Sequence, residues 1–211
     1  MTESPLRDEA SSREVTDRIL IHEGKVWDVV SETFTYGDES LTREFIDHTG
    51  AVAVLAVDDD DRVLLIRQYR HPVGLIDWEI PAGLLDDPGE STLDAAKREL
   101  AEEADLRADE WSVLVDYATT PGSTTETIRI FLARGVSATD EPFAREGEEA
   151  DIETRWVPLD EAVEAVMRGD LHNGTTIVAL FTAAKLRANG KTSGRDANEP
   201  FPLRPSGPGG S

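Results

Sequence analysis

The chain has 211 residues, enough for one domain with a small appendage, and 43 acidic residues against 21 basic ones give a formal net charge of −22. Such a surface repels nucleic acid and anionic lipid, so neither is an expected partner, and an anionic substrate would need a local cationic clamp or a bound divalent ion. With no cysteine, disulfides, thiolate metal sites and a cysteine nucleophile are excluded; with no apolar leader and no apolar run of membrane-spanning length, a cytoplasmic protein is expected.

The first fifteen or so residues are polar and read as loose. From Ile19 to Phe45, "ILIH", "KVWDVVSETFTY" and "SLTREFIDH", with a turn signal at Gly37-Asp38-Glu39, predict a small antiparallel unit within a segment taken as residues 1–48. Residues 51–57 form a continuous apolar run, and residues 62–70 resume it beyond four aspartates. This predicts two buried strands around a tight acidic turn; a solvated turn is favoured over a calcium loop. "LIDWEI", residues 75–80, is another strand, ended by Pro81. Ser91 with Asp94 three residues later resembles a capping box and opens a helix. At 100° per residue, Leu93, Ala96 and Leu100 share one side of that helix, Glu99 and Glu103 border it, and Glu102 points outward.

Strands follow at residues 111–117 and 127–133, then an acidic loop over 145–153 and a strand at "TRWVPL". Two helices, residues 160–167 with Asp160 as cap and residues 175–188, finish a domain taken as residues 49–188. Residues 189–211 are rich in Gly, Pro and Ser without periodicity and read as a disordered tail. Interleaved strands and helices predict an α/β (α+β) domain with helices packed on the sheet.

Glu99, Glu102 and Glu103 crowd together beside Arg98, with Glu90 one loop earlier. Like charges at this spacing repel by roughly 0.2–0.5 kcal/mol per pair, and a hard cation such as Mg²⁺ or Mn²⁺ would turn that repulsion into coordination. Spacing alone does not separate such a site from a solvated acidic face. The longer pattern is more specific. Gly83, Glu90, Arg98-Glu99-Leu100, Glu102-Glu103 and Leu106 resemble the Nudix box, G-x5-E-x7-R-E-U-x-E-E-x-G-U with U aliphatic, without a mismatch from Glu90 to Glu103. Two positions depart from it: six residues rather than five separate Gly83 from Glu90, and the closing glycine is Asp105, a residue that tolerates the left-handed end of a helix.

The resemblance implies the Nudix fold, a mixed sheet sandwiched between helices with a small N-terminal antiparallel sheet. It implies metal-dependent cleavage of a nucleoside diphosphate linked to another group, with Mg²⁺ or Mn²⁺ as cofactor. Glu99 and Glu103 would be metal ligands, Glu102 a further direct or water-mediated one, and the Ala82 carbonyl a backbone ligand. Gly83, Glu90 and Arg98 would be structural, the last two paired.

Outside the box, "TTPGSTTE" (119–126), with Pro121 sixteen positions after Asp105, resembles ADP-ribose pyrophosphatases, as do "GAVAVLAV", "RQYR" and "WEIPAGLLD". This likeness covers roughly residues 43–186. It implies hydrolysis of ADP-ribose to AMP and ribose 5-phosphate. Arg70 would meet the diphosphate, and Trp27, Trp78, Glu79, Pro121, Gly122 and Glu126 would line the substrate site. Trp27 and Trp78 as core, Arg70 as a strand-end charge and Pro121-Gly122 as a plain turn stay open. The general base would come from the acidic loop, Glu149 first and Glu148 next among Glu146, Glu148, Glu149 and Asp151; Glu102 stands with them as a possible catalytic group. The subfamily implies a homodimer with exchanged N-terminal segments. Two rival readings are hydrolysis of other nucleoside diphosphate sugars and a non-catalytic ADP-ribose sensor; the second lacks the basic helices of a DNA-binding partner domain.

Overall fold

The computed structural model describes residues 6–145 and 147–204, and of residues 148 and 149 the backbone alone. In chain order the strands and helices are β1 (Val15–His22), β2 (Asp28–Tyr36), β3 (Glu39–Asp47), β4 (Ala51–Ala56), β5 (Arg62–Arg70), β6 (Leu75–Glu79), β7 (Ala82–Leu84), α1 (Thr92–Ala104), β8 (Leu106–Ala118), β9 (Thr127–Ala138), β10 (Glu153–Pro158), α2 (Leu159–Arg168), α3 (Gly174–Ala188) and β11 (Arg195–Asp196). A short 3-10 turn, Gly147–Asp151, occupies the acidic loop.

β1, β2 and β3 form a separate antiparallel sheet, as expected, with the β2–β3 hairpin closing at Tyr36↔Glu39. The core holds two further sheets. One is mixed, in the order β11-β8-β9-β4-β7, with β4 and β9 parallel; the other is β10-β5-β6. β4 is buried at every position because both of its faces are covered. Ala51, Ala53 and Leu55 pack with α2 and α3 through Leu159, Ala162, Ala179 and Leu180. Val52, Val54 and Ala56 pack with α1 through Ala95, Ala96 and Leu100. The helices therefore sandwich the mixed sheet.

Three expectations change. The acidic turn exists, closed by Asp58 N–H donating to the Arg62 carbonyl, but β4 and β5 join only at the bridge Val57↔Val63 and then part into different sheets. The turn is a corner between sheets, and Asp61 fixes it by accepting hydrogen bonds from Arg134 on β9 and Arg187 on α3. α2 starts after Pro158, with no side-chain cap, and Asp160 lies inside its first turn, where its charge suits the helix dipole. Most consequentially, residues 189–204 are no disordered tail. β11 pairs with β8, and the segment then runs back over β9. Its target is Arg129, wholly buried and held by Asp116 through two hydrogen bonds of 2.8 and 3.0 Å. The Arg129 guanidinium also donates to the carbonyls of Glu199 and Pro200 and lies 4.7 Å from the Phe201 ring centre, while Thr127 Oγ1 donates to the Leu203 carbonyl. A low-apolar sequence folds here because it supplies the acceptors that Asp116 alone cannot give the buried guanidinium.

Candidate active site

α1 is set by its ends. Ser91 Oγ accepts from Asp94 N–H and donates to the Asp94 carboxylate, the two halves of a local cap. At the other end Asp105 takes φ 54°, ψ 36°, the left-handed conformation expected where the family pattern has glycine. The aspartate does more than terminate. Its carboxylate accepts from Phe143 N–H at 2.7 Å and from Arg145 at 2.6 Å, and Arg145 also donates to the Glu102 carbonyl. The start of the acidic loop is thereby tied to the end of α1. Burial would raise the Asp105 pKa, but the bonds from Phe143 and Arg145 hold it below its ordinary value.

Along the helix, Glu99 and Glu103 are buried at 8% and 4% exposure, while the Glu102 side chain is 39% exposed. This is the division that the helical spacing predicts. Glu103 accepts from Ala82 N–H at 2.8 Å. Glu99 lies against Gly83 so closely that a Cβ there would overlap its carboxylate; this approach is what requires glycine. Arg98 donates twice to Glu90, at 3.1 and 3.0 Å, and through Nη1 to Glu99 and Glu102 at 2.6 and 3.0 Å. Three carboxylates thus surround one guanidinium, with Glu103 one turn on from Glu99. Among the described residues no three acidic or histidine groups are gathered closely enough to hold an ion as they stand. The chemistry of the donors nevertheless fits one: they are hard, all oxygen, and in excess negative charge around Arg98.

Ala82 and Gly83 form one end of a cavity of about 650 Å³. Trp27, Arg70, Glu79 and Glu126 also line it, so three successive strands and two loops far from them in sequence converge there. Arg70 and Glu79 meet in a two-pronged pair of 2.7 and 2.6 Å. Glu126 accepts from Thr119 Oγ1 at 2.7 Å. Pro121 and Gly122 make the exposed turn between these two residues and do not reach the cavity. Nor does Trp78. Neighbouring strand residues face opposite ways, and Trp78 lies under the Arg67 guanidinium, 5.8 Å from it, on the other face of β6 from Glu79. Trp78 packs against the hydrophobic core, the alternative that its sequence left open. Glu146 lies outside the described residues, as do the side chains of Glu148 and Glu149; Asp151 closes the 3-10 turn.

Residues that the sequence reading passed over also line the cavity: His48, Asp77, His172 and Asn173. His48 Nδ1 accepts from Gly50 N–H, which leaves the hydrogen of the neutral ring on Nε2, 3.5 Å from Glu126. The backbone around His48 is zipped to the 119–126 loop through Ile46–Ser123, Ile46–Thr125 and His48–Thr125 bonds. Beneath them the buried Asp47 pairs with Arg18 of β1. Asn173 caps α3 through Thr176 N–H, at 2.9 Å. No spacing signals such contacts; only a polar residue at a strand end hints at them.

A model of the NUDIX domain family matches residues 47–177. The chain is 44% identical over 145 residues to an ADP-ribose pyrophosphatase of Mycobacterium tuberculosis, covering 69% of this chain and 70% of that protein. An ADP-ribose pyrophosphatase of Bacillus subtilis is 34% identical over 161 residues, covering 76% and 86%. Among solved structures, an ADP compounds hydrolase matches 88% of this chain and all of its own with a TM-score of 0.71 at 21% identity, a likeness of fold. The box carboxylates, the sandwich that presents them and the family match over residues 47–177 together make the chain a member of the Nudix hydrolase family.

Proposed function

We propose that the protein hydrolyses the diphosphate of ADP-ribose to AMP and ribose 5-phosphate. The observation that carries this is the buried pair Glu99 and Glu103 directly behind Ala82 and Gly83 at one end of the cavity that also holds Arg70 and Glu79. The 44% identity to a mycobacterial ADP-ribose pyrophosphatase supports the choice of substrate.

Glu99 and Glu103, with Glu102 at the exposed rim and the Ala82 carbonyl, would hold Mg²⁺ or Mn²⁺. A divalent ion bound there supplies charge neutralisation for a diphosphate and a lowered pKa for a bound water. Arg70, oriented by Glu79, contributes a cationic donor for diphosphate oxygens. Arg98 keeps the carboxylates of the box in register. The base is Glu149, with Glu148 next, on the loop whose start is held to α1 by Asp105 and Arg145. Trp27 offers a half-open ring at the cavity mouth for a base to stack on.

The working form is a homodimer with exchanged N-terminal segments. All eight residues of β1 are exposed, and Ile19, Leu20 and Ile21 expose about half of their surface. An edge strand so apolar invites a second copy. No helix among the described residues is long and apolar enough to cross a membrane.

Incubation with ADP-ribose, ADP-glucose and GDP-mannose, with and without Mg²⁺ or Mn²⁺, tests the reading. Metal-dependent AMP from ADP-ribose well ahead of the other two is expected. Preferential cleavage of another sugar nucleotide retains the box chemistry and overturns the substrate, and no cleavage of any makes the carboxylates a binding site.

A further inference from the structure

Two acidic residues of one strand in the cavity wall differ in how they are paired. Asp77 and Glu79 share one face of β6, and both are buried, at 9% and 3% exposure. Glu79 takes both prongs of Arg70. Asp77 has no hydrogen-bond or ion-pair partner among the described residues, although it lines the cavity. Directly opposite it on β5 is Gln68, 6% exposed, whose Oε1 is buried without a hydrogen-bond partner. Side chains at opposed positions of an antiparallel pair lie side by side, so a carboxylate and an amide oxygen stand together with nothing donating to them. The buried Gln68 oxygen weighs against folding and calls for a reason, while the Asp77 carboxylate opens onto the cavity.

The occupant can be narrowed by charge. An unpaired carboxylate repels a diphosphate, so this part of the wall does not face the phosphates. Those belong at the Ala82–Gly83 end, next to the box carboxylates. Asp77 lies five residues back along the chain from Ala82, and the lining of the same cavity also includes Val26, Trp27, Pro72 and Val73. That mixture of apolar surface with a lone acceptor suits a flat, neutral group bearing N–H or O–H donors.

Resting on the ADP-ribose reading, we propose that Asp77, backed by Gln68, forms a hydrogen-bond acceptor subsite for the nucleoside half of the substrate. Its partner is either the exocyclic amine of the base or a hydroxyl of the attached ribose. The residue contributes to selectivity and has no part in bond cleavage.

The test crosses an enzyme variant with substrate analogues. Wild type and Asp77→Leu are assayed on ADP-ribose, on IDP-ribose, in which the 6-amine is a carbonyl, and on ADP-ribose lacking the 2′-hydroxyl of the adenosine. Asp77→Leu is expected to lower kcat/KM for ADP-ribose by at least about tenfold, the weight of a hydrogen bond to a charged acceptor. The same substitution should change kcat/KM little on the one analogue without the donor that Asp77 reads, and this identifies the donor. Its Tm should rise, because a largely desolvated carboxylate without a partner has gone. An equal penalty on all three substrates, or none on ADP-ribose, overturns the subsite. If Asp77→Leu does not fold, Asp77→Asn gives the same comparison with shape retained. A wild type inactive on ADP-ribose overturns the substrate reading instead. The Tm then decides: a variant no more stable than wild type removes the case for an unpaired charge kept for a ligand.

Discussion

Two groups of buried charge lie on the α1 face of the mixed sheet, and they are built on opposite principles. Around Arg129, two cations meet two carboxylates: Asp116 is shared by Arg129 and Arg195, and Arg195 pairs in turn with Glu199. Charges balance, backbone carbonyls take the remaining donors, and Phe201 closes the top. Around Arg98, one cation is set among Glu90, Glu99 and Glu102, and Glu103 on the same helix is held by the Ala82 amide. Burial and hydrogen bonding alone do not tell a structural cluster from a reactive one. The surplus does: a neutral cluster is complete in itself, whereas an acidic excess held in place by a helix and a glycine is prepared for a positive visitor.

Removing one charge from each group should therefore have opposite consequences. Glu103→Gln is expected to cost about 10²-fold or more in turnover, at or above the upper end of the roughly 10–100-fold typical of a metal's outer shell, with Tm unchanged or raised as repulsion is relieved. Steady-state kinetics beside a melting curve would show it; a fall in both would make Glu103 structural. Arg129→Met should do the reverse, destabilising the fold by about 3–5 kcal/mol because Asp116 keeps only the half-exposed Arg195 and the Glu199 and Pro200 carbonyls lose their donor, measured by urea denaturation, with kcat per folded molecule nearly intact.

Acid should break the balanced group in a defined window. Burial pushes the Asp116 pKa up, but the hydrogen bonds from Arg129 and Arg195 outweigh it and hold it below 3.8. A depressed folded-state pKa means that the stabilisation is complete above the unfolded value near pH 4 and is lost as pH falls through the lower folded value. Asp116→Asn should accordingly flatten the acid limb of a Tm-against-pH curve; an unchanged limb would show that other carboxylates dominate it. The smallest effect concerns the border of the two designs. Asp105→Gly restores the family pattern and relieves about 1 kcal/mol of left-handed strain, yet it gives up the bonds to Phe143 and Arg145. A net loss of about 1 kcal/mol with a severalfold lower kcat is expected, the latter from a looser acidic loop. Higher kcat would mean that the tether restrains the enzyme.

How far the sequence foretold this depends on the range of each interaction. α1 was legible in full, because its cap, its apolar stripe and the burial of Glu99 and Glu103 follow from residues within thirteen positions. The three N-terminal strands were legible from alternation and one turn. The parting of β4 and β5 was not, since a tight acidic turn looks alike whether its strands pair with each other or with β9 and β10. Trp78 and Glu79 were taken together because they adjoin in sequence, and the strand turned them apart. The strap over Arg129 was misread as disorder by composition. A cue was present all the same: an arginine in the middle of "TIRIFLA" must find acceptors somewhere, and Asp116 alone does not satisfy five donors.

That strap also sets a schedule for the newborn chain. Arg129 leaves the ribosome 70 residues before the Glu199 carbonyl that it needs. At roughly 5–20 residues per second this is an interval of about 4–14 s during which the sheet holds a charge without its final acceptors. A message cut short after α3 would yield every box carboxylate and both faces of the sandwich, yet leave that charge uncovered and open to quality control. Burial of this one arginine is thus completed only by residues made long after the sheet that carries it.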